Sequence, residues 1–189
     1  MKINPEHILI SRPDSIGDVM LTLPMCGLLK QYFPKVKITF LGKFYTQDII
    51  EACAHVDHFL NWDELESMTP SEQLNAIRSI DADVVIHVFP KKEIVWLAKK
   101  AGIRYRIATA RRWYTLTKCN KPVFFSRRKS DLHESQLNIK LLSPLVMADI
   151  PTLSDLNSLS GFSAPNISIE DFFIKKTNQR YIILHCLSK

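Results

Sequence analysis

The 189-residue chain has only five glycines, and that scarcity limits the ways it can hold a nucleotide. The polar loop after its first apolar run carries one of them, Gly17. Neither the G-x-G-x-x-G dinucleotide fingerprint nor a phosphate-binding loop closed by Gly-Lys-Ser/Thr can be built there. The four cysteines, Cys26, Cys53, Cys119 and Cys186, stand far apart. Their spacing excludes the close pairs of zinc sites and redox motifs and leaves them read as reduced, mostly buried thiols. No apolar run approaches the roughly 20 residues of a membrane span, and no secretory-type leader opens the chain; the cytoplasm is the expected compartment. Acids are nearly missing from residues 91–129, where Glu93 stands against thirteen Lys or Arg. The whole chain carries +6, so everything outside that stretch sums to −6. The basicity is regional and points to an acidic partner.

The pattern that is present is an alternation of short apolar runs with helical periodicity. His7 to Arg12 and Val36 to Gly42 read as buried strands. Between them Met25, Leu28, Leu29, Tyr32 and Phe33 recur at helical spacing, with Pro34 as the stop. Pro24 requires either a separate turn over 17–23 or a kink. A helix over 45–54 and a strand at His58 to Trp62 follow. Next comes a helix opened by Thr69-Pro70-Ser71-Glu72, which has capping-box spacing with proline at the first helical position. Asp83 to Phe89 is the strongest strand, Lys91 to Ala101 a helix ended by Gly102, and Tyr105 to Ala108 a further strand. Asp131 to Met147 reads as one long helix capped by Asp131 and Glu134.

Repeated units of this size predict an α/β fold, a Rossmann-like parallel sheet flanked by helices. Its domain spans residues 1–148. A Ser-, Pro- and Asn-containing linker or crossing segment covers 149–179, and residues 180–189, with the apolar run Tyr181 to Cys186, read as the first strand of a second domain.

The first strand runs into Arg12-Pro13-Asp14-Ser15-Ile16-Gly17-Asp18. Its polar residues therefore sit where open α/β sheets bind ligands, at the carboxyl end of a strand. From spacing alone, Asp18 is either a structural acid at a helix start or an ionised proton acceptor. His87, inside an apolar strand, reads as a hydrogen-bonded core residue, and His133 as a helix-start residue. Any single Lys or Arg of the basic stretch reads as part of a solvated face. The cluster as a whole suits an anion, because arginine binds oxyanions in a planar fork.

The run Ile8-Leu-Ile-Ser-Arg-Pro-Asp-Ser-Ile-Gly-Asp-Val-Met-Leu-Thr-Leu-Pro24 resembles the opening of the heptosyltransferases, glycosyltransferase family 9. The resemblance continues in order through Gly102-Ile-Arg-Tyr-Arg-Ile-Ala108 with Arg111 and Arg112, His133-Glu134, and Asn138 to Leu142. It implies the N-terminal, acceptor-binding half of a two-domain GT-B enzyme that transfers a sugar with inversion. Asp18 is then the base that deprotonates the acceptor hydroxyl. Arg12, Ser15, Gly17, Arg111 and Arg112 face the acceptor, with Arg127 and Arg128 as further anion candidates. Ser188, in the strand end Ile183-Leu-His-Cys-Leu-Ser188, would contact the donor, although Cys186 stands where the family has proline. The resemblance implies no metal and no cofactor beyond a nucleotide-sugar co-substrate of the ADP-heptose kind. The implied acceptor is an anionic glycolipid of the lipopolysaccharide core, met through peripheral contact with a membrane. Because the chain stops shortly after Ser188, a truncated member, inactive alone, is the expectation. Two alternatives stand beside it. One is a non-catalytic anion- or glycolipid-binding module; the other, not expected since no nucleic-acid module is recognisable, is a basic nucleic-acid-binding domain in which Trp96, Trp113 and Tyr114 would stack.

Overall fold

A computed structural model describes residues 3–147 and 149–163. The run read as a second-domain strand, together with Cys186 and Ser188, lies outside the described residues.

Among the described residues the chain builds one six-stranded sheet in the order β3-β2-β1-β4-β5-β6, parallel throughout. The strands are β1 (His7–Ser11), β2 (Lys37–Gly42), β3 (His58–Asn61), β4 (Val84–His87), β5 (Tyr105–Thr109) and β6 (Lys121–Val123). The Rossmann-like α/β expectation is met. The chain steps from β1 outward to β2 and β3, then returns to lay β4 on the other side of β1. The switch point, where crevices open at strand carboxyl ends, therefore falls between β1 and β4.

Helices cover both faces because the central strands are buried on both. On one face, α1 (Ile16–Met20), α2 (Leu23–Tyr32), α3 (Gln47–Glu51) and α8 (Glu134–Lys140) pack over Ile8, Ile10, Val84 and Ile86. On the other, α4 (Trp62–Ser67), α5 (Pro70–Ser79) and α6 (Lys92–Ala101) enclose Leu9, Leu41 and Val85, and α7 (Trp113–Lys118) continues that layer beside Ala108. Local signals carry the boundaries. Thr69 and Glu72 form the reciprocal capping box, and Gly102 closes α6 at φ 87°, a left-handed position where a side chain would be strained. Pro24 resolves as a second-position proline of α2, after a separate α1; its missing N–H falls where no partner is needed. Met25, Leu28 and Leu29 are buried, whereas Tyr32 at the end of α2 is exposed.

Three expectations change. The long helix over 131–147 is a short α8 followed by turns. Its cap is His133 with Gln136 rather than Asp131 with Glu134, and Pro144 cannot continue the ladder, so Leu141, Leu142 and Leu145 are buried from tightened turns. Within the segment read as a linker, Leu153–Leu159 forms α9, with Leu156 and Leu159 buried against α2. That packing depends on Gly27, since a Cβ there would meet the Leu159 carbonyl oxygen at 2.0 Å. The third concerns His87, which is fully buried but not hydrogen-bonded: neither ring nitrogen has a partner, and neither does the Oγ of Ser11, its register neighbour on β1. Desolvation, and secondarily the Arg106 charge, push the His87 pKa down from 6.5 to about 3.

Two outcomes follow from these contacts. Gly27→Ala destabilises the protein by about 1–3 kcal/mol in urea unfolding, with amides of α9 losing hydrogen-exchange protection first. Gly17→Ala, where a Cβ meets nothing within 4 Å, leaves stability unchanged or slightly raised. For His87 the folded pKa lies below the unfolded one, so only the unfolded chain takes the proton between about 6.5 and 3. Its contribution therefore erodes stability as pH falls through that window, by about 1.4 kcal/mol per pH unit. Unfolding of His87→Leu measured from pH 7 to pH 4 shows a correspondingly flatter pH dependence; a parallel curve would refute the assignment.

Candidate functional site

At the switch point the loops after β1, β4, β5 and β6 surround a cleft of about 500 Å³. Arg12, Asp14 and Asp18 enter it from the first loop and α1. Val88, Phe89 and Pro90 come after β4, Thr109, Arg111 and Arg112 from the end of β5, and Arg127 and Glu134 after β6. Two larger hollows, of about 690 and 680 Å³, lie against β6 and α8 and at the amino end of the sheet. The first is mostly apolar, and in the second Asp83 is spent on the backbone N–H groups of Glu6 and His7. The switch-point cleft draws charged side chains from three loops at the carboxyl end of the sheet.

Its organising group is Arg12, whose guanidinium is 4% exposed. Nε lies 2.8 Å from Asp14 Oδ1, Nη2 donates to Asp18 Oδ1 at 2.5 Å, and Nη1 approaches Glu134 Oε1 at 3.8 Å. Ser15 caps α1 by accepting from the Asp18 N–H, and its hydroxyl donates to Asp18 Oδ2 at 2.6 Å. Both carboxylate oxygens of Asp18 are thus oriented by the protein, while its side chain stays 38% exposed in the cleft. Thr22 ties the Asp18 carbonyl, and Asn138 ties Thr22 and the Leu21 carbonyl, which fastens α1 to α8.

Asp14 is a cleft side chain that the sequence reading passed over. Burial pushes its carboxyl up to about 6, against the opposing Arg12 charge and with the Asp18 charge adding to the rise. The folded pKa is above the unfolded one, so the Asp14 contribution to stability diminishes as pH rises from about 4 to 6. The signal was present as a second acid two residues after Arg12, yet nothing local said that both acids would turn onto one guanidinium.

The sequence-derived candidates are gathered here with two exceptions among those in the described residues. Arg12, Asp18, Arg111, Arg112 and Arg127 line the cleft, with Ser15 and Gly17 at its α1 edge. Arg128 is exposed but does not line it, and His133 sits at the start of α8 as expected, as its cap. Arg12 and Arg127 are committed internally. Arg127 pairs with Glu134 and donates to Asn138 Oδ1 at 3.1 Å. Arg111 and Arg112 are exposed, and Arg112 is steadied by Tyr114 Oη at 2.7 Å, itself hydrogen-bonded to the Pro90 carbonyl. The cleft thus sets an oriented carboxylate opposite two exposed guanidinium groups, an arrangement able to orient an anionic molecule and take a proton from it. Among the described residues no group of three or more His, Cys, Asp or Glu is placed to hold a metal ion.

No family model matches the chain. It is 27% identical over 187 residues to a "putative glycosyltransferase" of Haemophilus influenzae, an alignment that covers 95% of the chain and 54% of the relative. The chain thus spans about half the length of that curated relative. Among solved structures, a glycosyl transferase family 9 protein from Veillonella parvula superposes with a TM-score of 0.63 at 19% identity, over 80% of this chain and 44% of that one. The E. coli heptosyltransferase WaaC with ADP gives 0.63 at 18%, over 77% and 48%. E. coli ADP-heptose lps heptosyltransferase II gives 0.60 at 17%, over 82% and 43%. The chain shares its fold with somewhat less than half the length of each of these glycosyltransferase structures, as the resemblance at Ile8 to Pro24 implied.

Removing the Arg12 guanidinium leaves three carboxylates facing one another. Arg12→Met therefore costs on the order of 3 kcal/mol at pH 7, and the loss shrinks toward pH 4 as Asp14, whose carboxyl already stands at about 6, protonates. Paired urea titrations at the two pH values measure this; an equal loss at both would remove the electrostatic account.

Proposed function

We propose that the chain is the acceptor-side domain of a glycosyltransferase resembling the heptosyltransferases, with Asp18 as the catalytic base. The observation that carries this reading is the Asp18 carboxylate, oriented by Arg12 and Ser15 yet open to the switch-point cleft. Asp18 takes the proton of an acceptor hydroxyl as that oxygen attacks the anomeric carbon of a nucleotide sugar. The sugar–phosphate bond breaks with its electron pair leaving on the nucleoside diphosphate, and configuration inverts. Because Asp18 is fixed at both oxygens, little reorganisation is needed when the acceptor arrives.

Arg111 and Arg112 give the acceptor its handle. Two exposed guanidinium groups on one rim suit a phosphorylated or carboxylate-bearing sugar, the chemistry of a lipopolysaccharide core. A Cβ at Gly17 would meet nothing within 4 Å, so the start of α1 beside Asp18 faces open space. The donor, of the ADP-heptose kind, belongs on this reading to a second domain that begins near residue 180 and includes Ser188. No helix among the described residues is long and apolar enough to cross a membrane, so a lipid-linked acceptor would be met at a membrane surface.

The exposed Arg111 and Arg112 also fit one other reading, a domain that binds such an acceptor without transferring to it. Calorimetry and transfer assays separate the two. The chain binds a heptose-deficient lipopolysaccharide core fragment, and Arg111→Ala/Arg112→Ala weakens that binding at least about tenfold. With a donor domain supplied, heptose passes from ADP-heptose to the fragment. Asp18→Asn keeps acceptor affinity within a few-fold and lowers turnover by about 10²–10⁴. Unchanged turnover in Asp18→Asn removes Asp18 as base, and acceptor binding without any transfer selects the binding-only reading.

A further inference from the structure

Beside the cleft, α7 carries a surface that the core does not explain. Its inner side is firmly held. Tyr114 is buried with its hydroxyl on the Pro90 carbonyl, and the Thr115 hydroxyl is within 2.8 Å of the Thr109 carbonyl and 2.7 Å of the Arg112 carbonyl. Its outer side presents Trp113 and Leu116, one helical turn apart, at 62% and 50% exposure. The Trp113 ring stands edge-on to Tyr114, with centroids 5.9 Å apart, so the indole is propped outward. Cations lie beside the indole: Arg111 and Arg112 are exposed just before Trp113, and Lys92 Nζ lies 5.9 Å from the indole centroid.

We propose that this face of α7 docks on an anionic lipid bilayer, with Trp113 and Leu116 entering the headgroup region and Lys92, Arg111 and Arg112 meeting lipid phosphates. The physics of the interface asks for this combination. An indole is most stable where apolar and wet regions meet, an aliphatic side chain gains by leaving water, and each nearby cation is drawn by the negative surface potential. Charge complementarity supports the same occupant, since thirteen of the chain's 25 Lys and Arg fall within residues 91–129, although Lys99 and Lys100 at the far end of α6 lie away from this edge. Leu116 argues against single-stranded nucleic acid, which rewards aromatic stacking platforms and has no use for an exposed aliphatic neighbour. Docking here would bring the mouth of the cleft to the membrane, where a lipid-linked acceptor presents its sugars. The inference to that extent rests on the proposed function, but its test involves no sugar or nucleotide.

The test is sedimentation of the intact chain with vesicles of phosphatidylglycerol and phosphatidylcholine, against vesicles of phosphatidylcholine alone. Binding is at least about tenfold tighter to the anionic vesicles and weakens with salt. Trp113→Ser/Leu116→Ser lowers it by about tenfold or more while circular dichroism and the unfolding midpoint stay as in the parent. Met147→Ser, at an apolar residue that is 99% exposed elsewhere, leaves it unchanged. Tryptophan fluorescence shifts to the blue on vesicle binding, and the shift is lost in Trp113→Phe. Equal binding to both vesicle types, or undiminished binding by the double variant, overturns the proposal. So does tighter retention on an RNA oligonucleotide than on anionic vesicles. Failure here leaves the transferase reading standing, and failure of transfer in the Asp18 assay leaves vesicle binding standing.

Discussion

The arrangement at the carboxyl end of the sheet depends on one nearly buried guanidinium. Arg12 leaves β1 at the switch point and there meets Asp14, Asp18 and Glu134, side chains from its own loop, from α1 and from the start of α8. A cation in that position is costly to desolvate unless its partners are close, and the carboxylates would repel one another without it. Each therefore makes the others tolerable. The net result is excess negative charge that a second arginine, Arg127, helps offset through Glu134. Burial holds the Asp14 carboxyl up at about 6 even beside Arg12, with the Asp18 charge adding to the rise.

The geometry of Asp18 follows from this balance. Its oxygens are oriented from two directions, by Arg12 and Ser15, and α1 is pinned beneath it through Thr22 and Asn138. On the proposed reading such support gives a base a fixed direction of attack at the rim of an open cleft. The arginines then divide by role according to burial. Arg12 and Arg127 hold the protein's own acids, while Arg111 and Arg112 remain exposed at the cleft. A residue type alone could not make that division, because all four look alike in the sequence.

The outer edge of the same region shows how one short helix can serve two surroundings. Tyr114 and Thr115 of α7 close the protein's interior, and Trp113 and Leu116 have no interior to close. With cations beside Trp113, the apolar pair has the composition of an interfacial contact. Its place beside Arg112 links the proposed membrane face to the proposed acceptor handle through two consecutive residues.

Much of this was legible from the chain. Alternating short apolar runs and helical periodicity specified a parallel α/β sheet, and the Thr69–Glu72 box and Gly102 marked helix ends, because such signals act within a few residues of one another. The polar loop holding Asp18 could be placed at a strand's carboxyl end for the same reason. What the tertiary structure decided was which distant residues meet. Gly27 and Leu159 pack α9 onto α2, although composition alone read that segment as loose, and Pro144 cut a helix that periodicity would have extended. Asp14 and Glu134 converge on Arg12, and His87 is buried without a partner. Local sequence records the propensity of each element. Desolvation, close backbone approach and the sharing of one cation by several acids exist only once elements from different parts of the chain have been brought together.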